Sequence, residues 1–213
     1  MRKLVFPSGL YAITPETADT DRLLTEVEAA LAGGAAAVQY RDKSDDVARR
    51  HEQASELLAL CRQFDVPLII NDDLRLADLT DADGVHLGRD DGSVAKARVI
   101  LGPDKFIGAS CYQSLDLARA AQAEGADYVA FGSFYPSGTK PQAEHAELGL
   151  LLAARAIIHV PIVAIGGITP ANALALLDAG ADSLAVLAAL FDAPDIRAAA
   201  QAFNHLFASE TED

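Results

Sequence analysis

Short apolar runs recur at a steady interval along the chain, and longer stretches with apolar residues at helical spacing lie between them. The eight runs are GLYAIT (9–14), AAVQYRD (36–42), PLIIND (67–72), GVHLG (84–88), FIGASC (106–111), YVAFGSF (128–134), PIVAIGG (161–167) and SLAVLAAL (183–190). Intervening stretches such as DRLLTEVEAALAGG and PANALALLDAGA reach a glycine near their carboxyl end, where glycine commonly terminates a helix. The pattern therefore predicts strands that alternate with helices.

Strands that alternate with helices form a parallel sheet that is buried on both faces. Eight such units in 213 residues predict the α/β class and a (β/α)8 TIM barrel, built as one compact domain over residues 1–213. The polar end of the chain, ASETED (208–213), is predicted to be a frayed tail. A doubly wound open sheet is the alternative, but it would need a glycine-rich phosphate loop after the first strand, where the chain reads AITPET.

Polar side chains stand where the apolar runs finish. In the second run Gln39, Arg41 and Lys43 alternate along an extended chain and therefore share one face. Other runs finish in, or lead into, Asn71 and Asp72, GRDD (88–91), Ser110 and Cys111, YPSGTK (135–140), Gly166 and Gly167, and Leu187 to Ala189. Because the active site of such a barrel lies at the carboxyl ends of its strands, the sequence predicts a functional site there.

The charged members of this set suit phosphate chemistry with magnesium. Arg41, Lys43 and Lys140 would converge on the barrel mouth, where arginine and lysine bind phosphate groups. Asp72 and Asp91 follow neighbouring strands, and two carboxylates with phosphate oxygens and waters are a typical Mg²⁺ arrangement. The alternative for Asp72 is a helix N-cap.

Two further features indicate a second phosphate site and a covering loop. Gly166 and Gly167 precede a helix predicted to start near Pro170, and amides at a helix N-terminus bind phosphate. Barrels often hold a phosphate between the loops after strands seven and eight. The segment SGTK (137–140) carries two hydroxyls and is predicted to act as a lid or a ligand clamp above the mouth.

Other reactive residues are assigned structural roles. His86 lies inside a strand, where a hydrogen-bonded structural histidine is expected, and Cys111 is expected to be a buried thiol. Asp73 and Asp90 are expected to be helix caps or surface charges. The sequence shows no nucleophilic triad, P-loop or CxxC pair.

Composition narrows the range of partners. A formal net charge of −14 opposes binding to nucleic acid or to an anionic membrane. In so acidic a protein, a local group of cations indicates a specific site for an anion. Two cysteines and the lack of a long apolar run predict a cytoplasmic protein with free thiols, and a homo-oligomer is left open. Together the residues predict transfer between two small phosphorylated substrates, with a diphosphate leaving group stabilised by magnesium and the cations.

These residues, in this order, resemble the thiamine phosphate synthase family over nearly the whole chain. The motifs that carry the resemblance are GLYAIT, VQYRDK, LIINDD, GVHLG-x-DD, IGAS, YVAFGSFYPSGTKP, PIVAIGGITPANA and GADSLAVLAALF. The family is a magnesium-dependent barrel that joins 4-amino-2-methyl-5-hydroxymethylpyrimidine diphosphate to 4-methyl-5-(2-phosphooxyethyl)thiazole, or its carboxylate. The resemblance implies that this chain is a transferase that releases thiamine monophosphate and pyrophosphate. It also implies a dissociative substitution without a protein nucleophile, in which pyrophosphate leaves first.

The resemblance implies particular site residues as well. For the pyrimidine diphosphate these are Gln39, Arg41, Lys43, Asn71, Ser110 and Lys140, and the catalytic members are Arg41, Lys43, Ser110 and Lys140. The implied Mg²⁺ ligands are Asp72 and Asp91. For the thiazole phosphate the residues are Ser137, Gly138, Thr139, Gly167 and the backbone of Leu187 and Ala188. Tyr40 and Asp42 complete the substrate-binding stretch 39–43, with their side chains expected on the opposite face, against the helices.

Several positions depart from the family's pattern, and two rival functions stay open. Ala188 stands where the family usually has serine, Ser183 where it usually has glycine, and Gln142 where aspartate is common. One rival is a thiazole tautomerase-like relative, but such proteins use a histidine shortly after the fifth-strand serine, where this chain has Tyr112. The other rival is a non-catalytic phosphometabolite-binding barrel, which would not need both Asp72 and Asp91.

Overall fold

The computed structural model describes residues 5–136 and 145–208, whose strands form a closed parallel barrel surrounded by helices. The strands are β1 (Gly9–Ile13), β2 (Ala37–Tyr40), β3 (Leu68–Asn71), β4 (Gly84–Leu87), β5 (Phe106–Tyr112), β6 (Tyr128–Gly132), β7 (Ile162–Ile165) and β8 (Ser183–Val186). The helices are α1 (Thr20–Ala32), α2 (Val47–Gln63), α3 (Leu74–Thr80), α4 (Val94–Leu101), α5 (Leu115–Ala123), α6 (Leu148–Arg155), α7 (Pro170–Asp178), α8 (Ala188–Phe191) and α9 (Ile196–Ala208). Each strand pairs with the next, and β8 pairs with β1. The predicted fold class is confirmed.

The helices that follow the first five strands begin at residues suited to capping. In each case a carboxylate or hydroxyl oxygen accepts the backbone N–H three residues later, which otherwise has no partner within the helix. The caps of α1 to α5 are Asp19, Asp46, Asp73, Ser93 and Ser114. The chain therefore enters each of these helices soon after leaving the barrel mouth, which keeps the loops there short.

Apolar side chains fill two layers of the molecule. Inside the barrel, Phe6 stacks on Tyr128 with ring centroids 3.9 Å apart, and Tyr11 packs edge-on against both rings. A larger cluster, which includes Leu57 and Phe131, fills the space between the strands and the helices. The strands are thus buried on both faces, as a parallel barrel requires.

A repeated aspartate joins neighbouring strands at the end of the barrel opposite the mouth. It directly precedes β4, β6 and β8, in the sequences ADGV, ADYV and ADSL. Its carboxylate accepts a backbone N–H near the start of the preceding strand, in the pairs Asp83 with Leu68 at 2.9 Å, Asp127 with Ile107 at 2.7 Å, and Asp182 with Ile162 at 2.7 Å. Arg98 and Arg155 form ion pairs with the second and third of these carboxylates. These bonds fix the register between consecutive strands.

The structure departs from the predicted elements at the carboxyl end of the chain. The eighth apolar run, 183–190, is a strand only as far as Val186, and Ala188–Phe191 form the short helix α8. The boundary follows from composition, because alanine and leucine continue easily into a helix once the chain leaves the sheet. Helix α9 extends to Ala208, and the rest of the predicted tail, 209–213, lies outside the described residues. No helix in the described ranges is both long and apolar enough to cross a membrane.

Candidate active site

The carboxyl ends of β2, β3 and β4 bring opposite charges together at the barrel mouth. Lys43, just beyond β2, places its Nζ 3.2 Å from Oδ2 of Asp72, just beyond β3. Asp91, in the loop after β4, has its carboxyl group in hydrogen-bonding contact with Asp72. The same carboxyl accepts the Gly88 N–H at 2.8 Å, which holds the loop in a tight turn. The structure therefore groups both predicted metal ligands with one predicted cation.

The contact between Asp72 and Asp91 is electrostatically unfavourable, and the single ammonium of Lys43 offsets it only in part. Burial, followed by the neighbouring Asp72 carboxylate, raises the pKa of Asp91, while the Gly88 amide and Lys43 act in the opposite direction. A divalent cation between the two carboxylates would remove this repulsion. The pair fits Mg²⁺, which takes few protein ligands and keeps several waters. Within the described ranges no group of three or more His, Cys, Asp and Glu side chains forms a metal site.

The structure separates the roles of Asp72 and Asp73. Asp73 caps α3 by accepting the Leu76 N–H at 2.9 Å, and its other oxygen lies 2.7 Å from Nη2 of Arg50. The cap predicted for Asp73 is confirmed, and the N-cap alternative for Asp72 is wrong. Asp72 instead has a φ of 64° and donates its N–H to the His86 carbonyl at 2.8 Å. This left-handed turn, which few residues other than glycine adopt, leaves its carboxylate at the mouth.

The segment after β1 supports the cationic end of β2. The buried hydroxyl of Thr14 accepts the Arg41 N–H at 3.0 Å, and the Glu16 carboxylate accepts the Lys43 N–H at 3.1 Å. Arg41 is half-buried and Lys43 is exposed. The half-buried Asn71 ends the adjacent strand β3. The loops thus fix the backbone of the phosphate-binding candidates, while the Lys43 ammonium pairs with Asp72.

The side chains of Tyr40 and Asp42 point away from the mouth, as the alternation along β2 predicts. The Tyr40 hydroxyl donates to Oε1 of Gln53 on α2 at 2.9 Å. Asp42 accepts the Ser44 N–H at 2.7 Å and an Arg49 N–H at 3.1 Å. Of the predicted substrate-binding stretch 39–43, these two residues have only their backbone available to a ligand.

A chain of hydrogen-bonded side chains crosses the barrel interior just below the mouth. Nε2 of Gln39 donates to the Tyr11 hydroxyl at 2.8 Å, and the hydroxyls of Tyr11 and Tyr128 are 2.8 Å apart. Nδ1 of His86 lies 3.0 Å from the Tyr128 hydroxyl, and its Nε2 lies 2.9 Å from Oγ of Ser110. The chain thereby connects Gln39 and Ser110, two of the residues predicted for the pyrimidine diphosphate, across the barrel.

The internal histidine and the thiols have the surroundings of structural groups. Burial lowers the pKa of His86 to about 4, so that its ring is neutral at neutral pH. Burial likewise raises the pKa of Cys111, and that of Cys61, to about 12. The predicted hydrogen-bonded histidine and the predicted buried thiol at Cys111 are both confirmed, and neither thiol is a thiolate at neutral pH.

The glycine pair after β7 lies against the start of the loop that follows β6. Gly166 and Gly167 have φ values of 107° and 61°, and a side chain on Gly167 would come within 2.7 Å of the Tyr135 carbonyl oxygen. The Tyr135 N–H donates to the Gly166 carbonyl at 3.0 Å. Among the described residues, none accepts a hydrogen bond from the Gly167 N–H. Helix α7 begins at Pro170, as predicted, and the phosphate role of the Gly167 amide stays a prediction.

The remaining predicted thiazole-phosphate residues are only partly covered by the structure. Leu187 is half-buried and precedes α8, and Ala188 is exposed as the first residue of that helix. Ser183 lies at the other end of β8, where its hydroxyl donates to the Pro7 carbonyl at 2.8 Å. Four predicted residues lie outside the described ranges, and their roles stay predictions: Ser137, Gly138, Thr139 and Lys140.

Several residues that touch the site, Glu16 among them, were not singled out from the sequence for a role there. Thr14, Tyr11 and Tyr128 hold the site from below, and Tyr112 packs beside it with the Arg89 guanidinium 4.8 Å from its ring centre. Tyr112 also accepts the Arg89 N–H at 3.3 Å, in the loop that carries Asp91. The sequence did contain a signal for Tyr11 and Tyr128. Both stand at strand positions whose side chains point into the barrel, but they lie within apolar runs, so their hydroxyl groups are easily counted as part of the apolar core.

Comparison with known proteins agrees with this geometry. The family model described as thiamine monophosphate synthase matches residues 10–190. A thiamine-phosphate synthase of Thiobacillus denitrificans is 74% identical over 98% of this chain and 99% of its own length, and one of Methylobacillus flagellatus is 58% identical over 93% and 95%. The solved structure of a thiamine phosphate pyrophosphorylase from Pyrococcus furiosus superposes with a TM-score of 0.85, at 35% identity, over 95% of this chain and 96% of that chain. The chain therefore belongs to the thiamine monophosphate synthase family.

Proposed function

We propose that this protein is a thiamine phosphate synthase, which joins the hydroxymethylpyrimidine diphosphate to the thiazole phosphate and releases thiamine monophosphate and pyrophosphate. The observation that carries the proposal is the meeting of Lys43, Asp72 and Asp91 at the mouth, in a chain of this family. A cation beside two carboxylates suits a magnesium-bound diphosphate better than a single phosphate ester. A barrel that only isomerised a thiazole phosphate would have no use for this group of charges.

The proposed reaction exchanges one bond for another at the pyrimidine methylene carbon. The bond from this carbon to the diphosphate oxygen breaks, and its electron pair leaves with the diphosphate. The electron-rich aminopyrimidine spreads the positive charge that remains on the carbon. The lone pair of the thiazole nitrogen then forms the new C–N bond. No protein nucleophile takes part, in agreement with the neutral, buried thiol of Cys111.

The residues of this chain lower the barrier by binding the leaving group. Arg41, Lys43 and Lys140 supply positive charge, and the Ser110 hydroxyl supplies a hydrogen-bond donor. Asp72 and Asp91 would hold the magnesium ion, which when bound supplies further positive charge to the diphosphate oxygens. The thiazole phosphate is assigned to the Gly167 amide, the backbone of Leu187 and Ala188, and the loop 137–139.

The test uses the purified full chain with both substrates and magnesium. We expect equal amounts of thiamine monophosphate and pyrophosphate, measured by chromatography and a coupled phosphate assay, and no product after magnesium is removed with a chelator. Lys43→Ala is expected to lower kcat by about tenfold to a hundredfold, because one cation at the leaving group is lost. Lys96→Ala is the matched control, because Lys96 is an exposed residue of α4 and is expected to leave turnover unchanged. Absence of product at saturating substrate and magnesium would refute the proposal.

A further inference from the structure

We propose that Tyr11, Tyr128 and His86 are positioning residues, which form with Gln39 and Ser110 a hydrogen-bond relay of fixed direction. The relay is defined as these five side chains, in the order Gln39, Tyr11, Tyr128, His86, Ser110. It determines which atom of Gln39 and which atom of Ser110 is presented to a ligand. The inference rests on the proposed function for the identity of that ligand.

The direction of the relay follows from counting protons, starting at Gln39. Its Nε2 donates to the Tyr11 hydroxyl, which has a single proton of its own to give. A hydroxyl oxygen can accept two bonds, but Tyr11 is buried, and within the described ranges the Tyr128 oxygen is the acceptor in reach of its proton. Tyr11 therefore donates to Tyr128 across 2.8 Å, because an unpaired buried proton would be costly. For the same reason the buried Tyr128 donates its one proton to Nδ1 of His86 across 3.0 Å.

The second half of the relay is decided by the imidazole ring. A neutral imidazole that accepts a hydrogen bond at Nδ1 carries its proton on Nε2. His86 therefore donates from Nε2 to Oγ of Ser110 across 2.9 Å. Because Oγ already accepts this bond, the Ser110 proton remains available to be donated to a group at the mouth.

One end of the relay is left to accept a hydrogen bond and the other is left to donate one. These two ends match the amino group and the diphosphate of the pyrimidine diphosphate. At Gln39 the amide nitrogen is used by Tyr11, so the carbonyl oxygen is the atom left to accept from an amino group. At Ser110 the hydroxyl proton is left to donate to a diphosphate oxygen. In the reversed relay the amide NH₂ would face the amino group and an Oγ lone pair would face the diphosphate, and both contacts would be repulsive.

The surroundings of the relay allow it few other arrangements. Tyr11 and Tyr128 are 1% and 0% exposed, and the Tyr128 ring is stacked on Phe6. Gly108 lies against the same ring, and a side chain there would overlap it. If one link reversed alone, one hydroxyl would accept two hydrogen bonds and its own proton would have no partner in the buried interior. The relay thus couples the orientation of Gln39 to that of Ser110 across the barrel.

The first test measures the tautomer of His86 in the wild-type protein by the ¹⁵N chemical shifts of its ring nitrogens. We expect a protonated Nε2 and an unprotonated Nδ1, with magnesium pyrophosphate present or absent. A proton on Nδ1 would overturn the proposal, because Ser110 would then donate inward to Nε2. This measurement needs neither turnover nor a variant.

The second test asks whether Tyr128 acts through Ser110. Tyr128→Phe removes the donor to Nδ1, which frees the imidazole to change tautomer and Ser110 to turn inward. We expect the affinity for magnesium pyrophosphate, measured by calorimetry, to fall by about tenfold, and kcat to fall by a similar factor. In a Ser110→Ala background the same substitution is expected to change the affinity by less than about twofold. Equal losses with and without Ser110 would show that Tyr128 has only a structural role.

Two further variants complete the design. Tyr11→Phe breaks the same relay one link earlier and replaces Tyr128→Phe if that variant does not fold; it is expected to shift the His86 ring signals as well. Ser183→Ala removes an equally buried hydroxyl at the opposite end of the barrel and is expected to leave the ring signals and the affinity unchanged. If the wild type makes thiamine monophosphate but His86 carries its proton on Nδ1, only the relay fails. If it makes none while the tautomer is as expected, the proposed function fails and the relay geometry stands.

Discussion

The ionised carboxylate of Asp91 is expected to bind magnesium but to destabilise the metal-free protein. Burial and the Asp72 carboxylate raise its pKa in the folded, metal-free protein. The pKa of an unfolded aspartate is about 3.9, so the folded state holds this proton more tightly. The contribution of Asp91 to the free energy of unfolding therefore falls as the pH rises from that value through the raised pKa, and it stays low at neutral pH.

Replacing Asp91 by asparagine should separate these two effects. We expect metal-free Asp91→Asn to have a Tm equal to or above that of the wild type at neutral pH, with a weaker decline between acid and neutral pH, because the repulsion with Asp72 is gone. Magnesium should raise the Tm of the wild type but not of the variant, and turnover should fall by at least about a hundredfold. Thermal unfolding with and without magnesium, together with the synthase assay, checks both parts.

The neighbouring Asp90 provides the control for this prediction. It is exposed in the same loop and is not part of the carboxylate pair. Asp90→Asn should keep the magnesium-dependent rise in Tm and the turnover of the wild type. A magnesium response retained in Asp91→Asn would remove Asp91 from the metal site.

At the scale of strands and helices, the two ends of each strand have different tasks. The carboxyl ends of β2, β3 and β4 carry the site residues, whereas an aspartate before β4, β6 or β8 binds the start of the preceding strand. The separation means that a substitution at one end can change stability without changing catalysis. In barrels of this kind the amino-terminal face generally serves stability.

Asp127 allows a direct test of that separation. Its carboxylate accepts the Ile107 N–H at 2.7 Å and pairs with Arg98, so Asp127→Ala leaves a backbone donor and a guanidinium without their partner. We expect the free energy of unfolding to fall by about 2–3 kcal/mol, and kcat to stay within about twofold of the wild type. Denaturant unfolding and steady-state kinetics measure the two quantities. Asp104→Ala, an exposed position at the same end of the barrel, is the control and should change neither.

At the scale of the whole molecule, the last helix closes the ring of helices. Helix α9 contacts α1, α7 and β1, so the carboxyl end of the chain covers its amino-terminal strand. Phe203 is fully buried in this interface, and Ala200 lies so close to Gly33 that a side chain on this glycine would meet it at 2.5 Å. The barrel therefore depends on contacts between the two ends of the sequence.

The Phe203→Ala variant tests the importance of this closure. We expect the free energy of unfolding to fall by about 3–5 kcal/mol, because a buried aromatic ring is lost and a cavity is left. The loss should appear in one cooperative transition that includes the barrel, observed by circular dichroism in denaturant. Gln201→Ala, at an exposed position of α9, should unfold like the wild type. A separate early transition confined to α9 would contradict the prediction.

The sequence predicted those features of the fold and the site that depend on residues close together in the chain. Periodicity predicts the eight alternating units, and the polar residues at the ends of apolar runs identify the mouth, because both depend on near neighbours in the chain. A local pattern was insufficient where two structures suit the same residues equally well. The run 183–190 divides into β8 and α8, and the N-cap alternative for Asp72 stayed open until the structure assigned the cap of α3 to Asp73.

The sequence by itself determined the fold class, and it predicted a shared face for Gln39, Arg41 and Lys43 and the pairing of Asp72 and Asp91 as metal ligands. Only the tertiary structure decided that Asp91 meets Asp72, and that a hydrogen-bonded relay crosses the barrel between Gln39 and Ser110. Tyr11 and Tyr128 touch although 117 positions separate them. Such contacts depend on the register of strands around a closed barrel, which is set by packing and pairing across the whole ring and is carried by no short stretch of sequence.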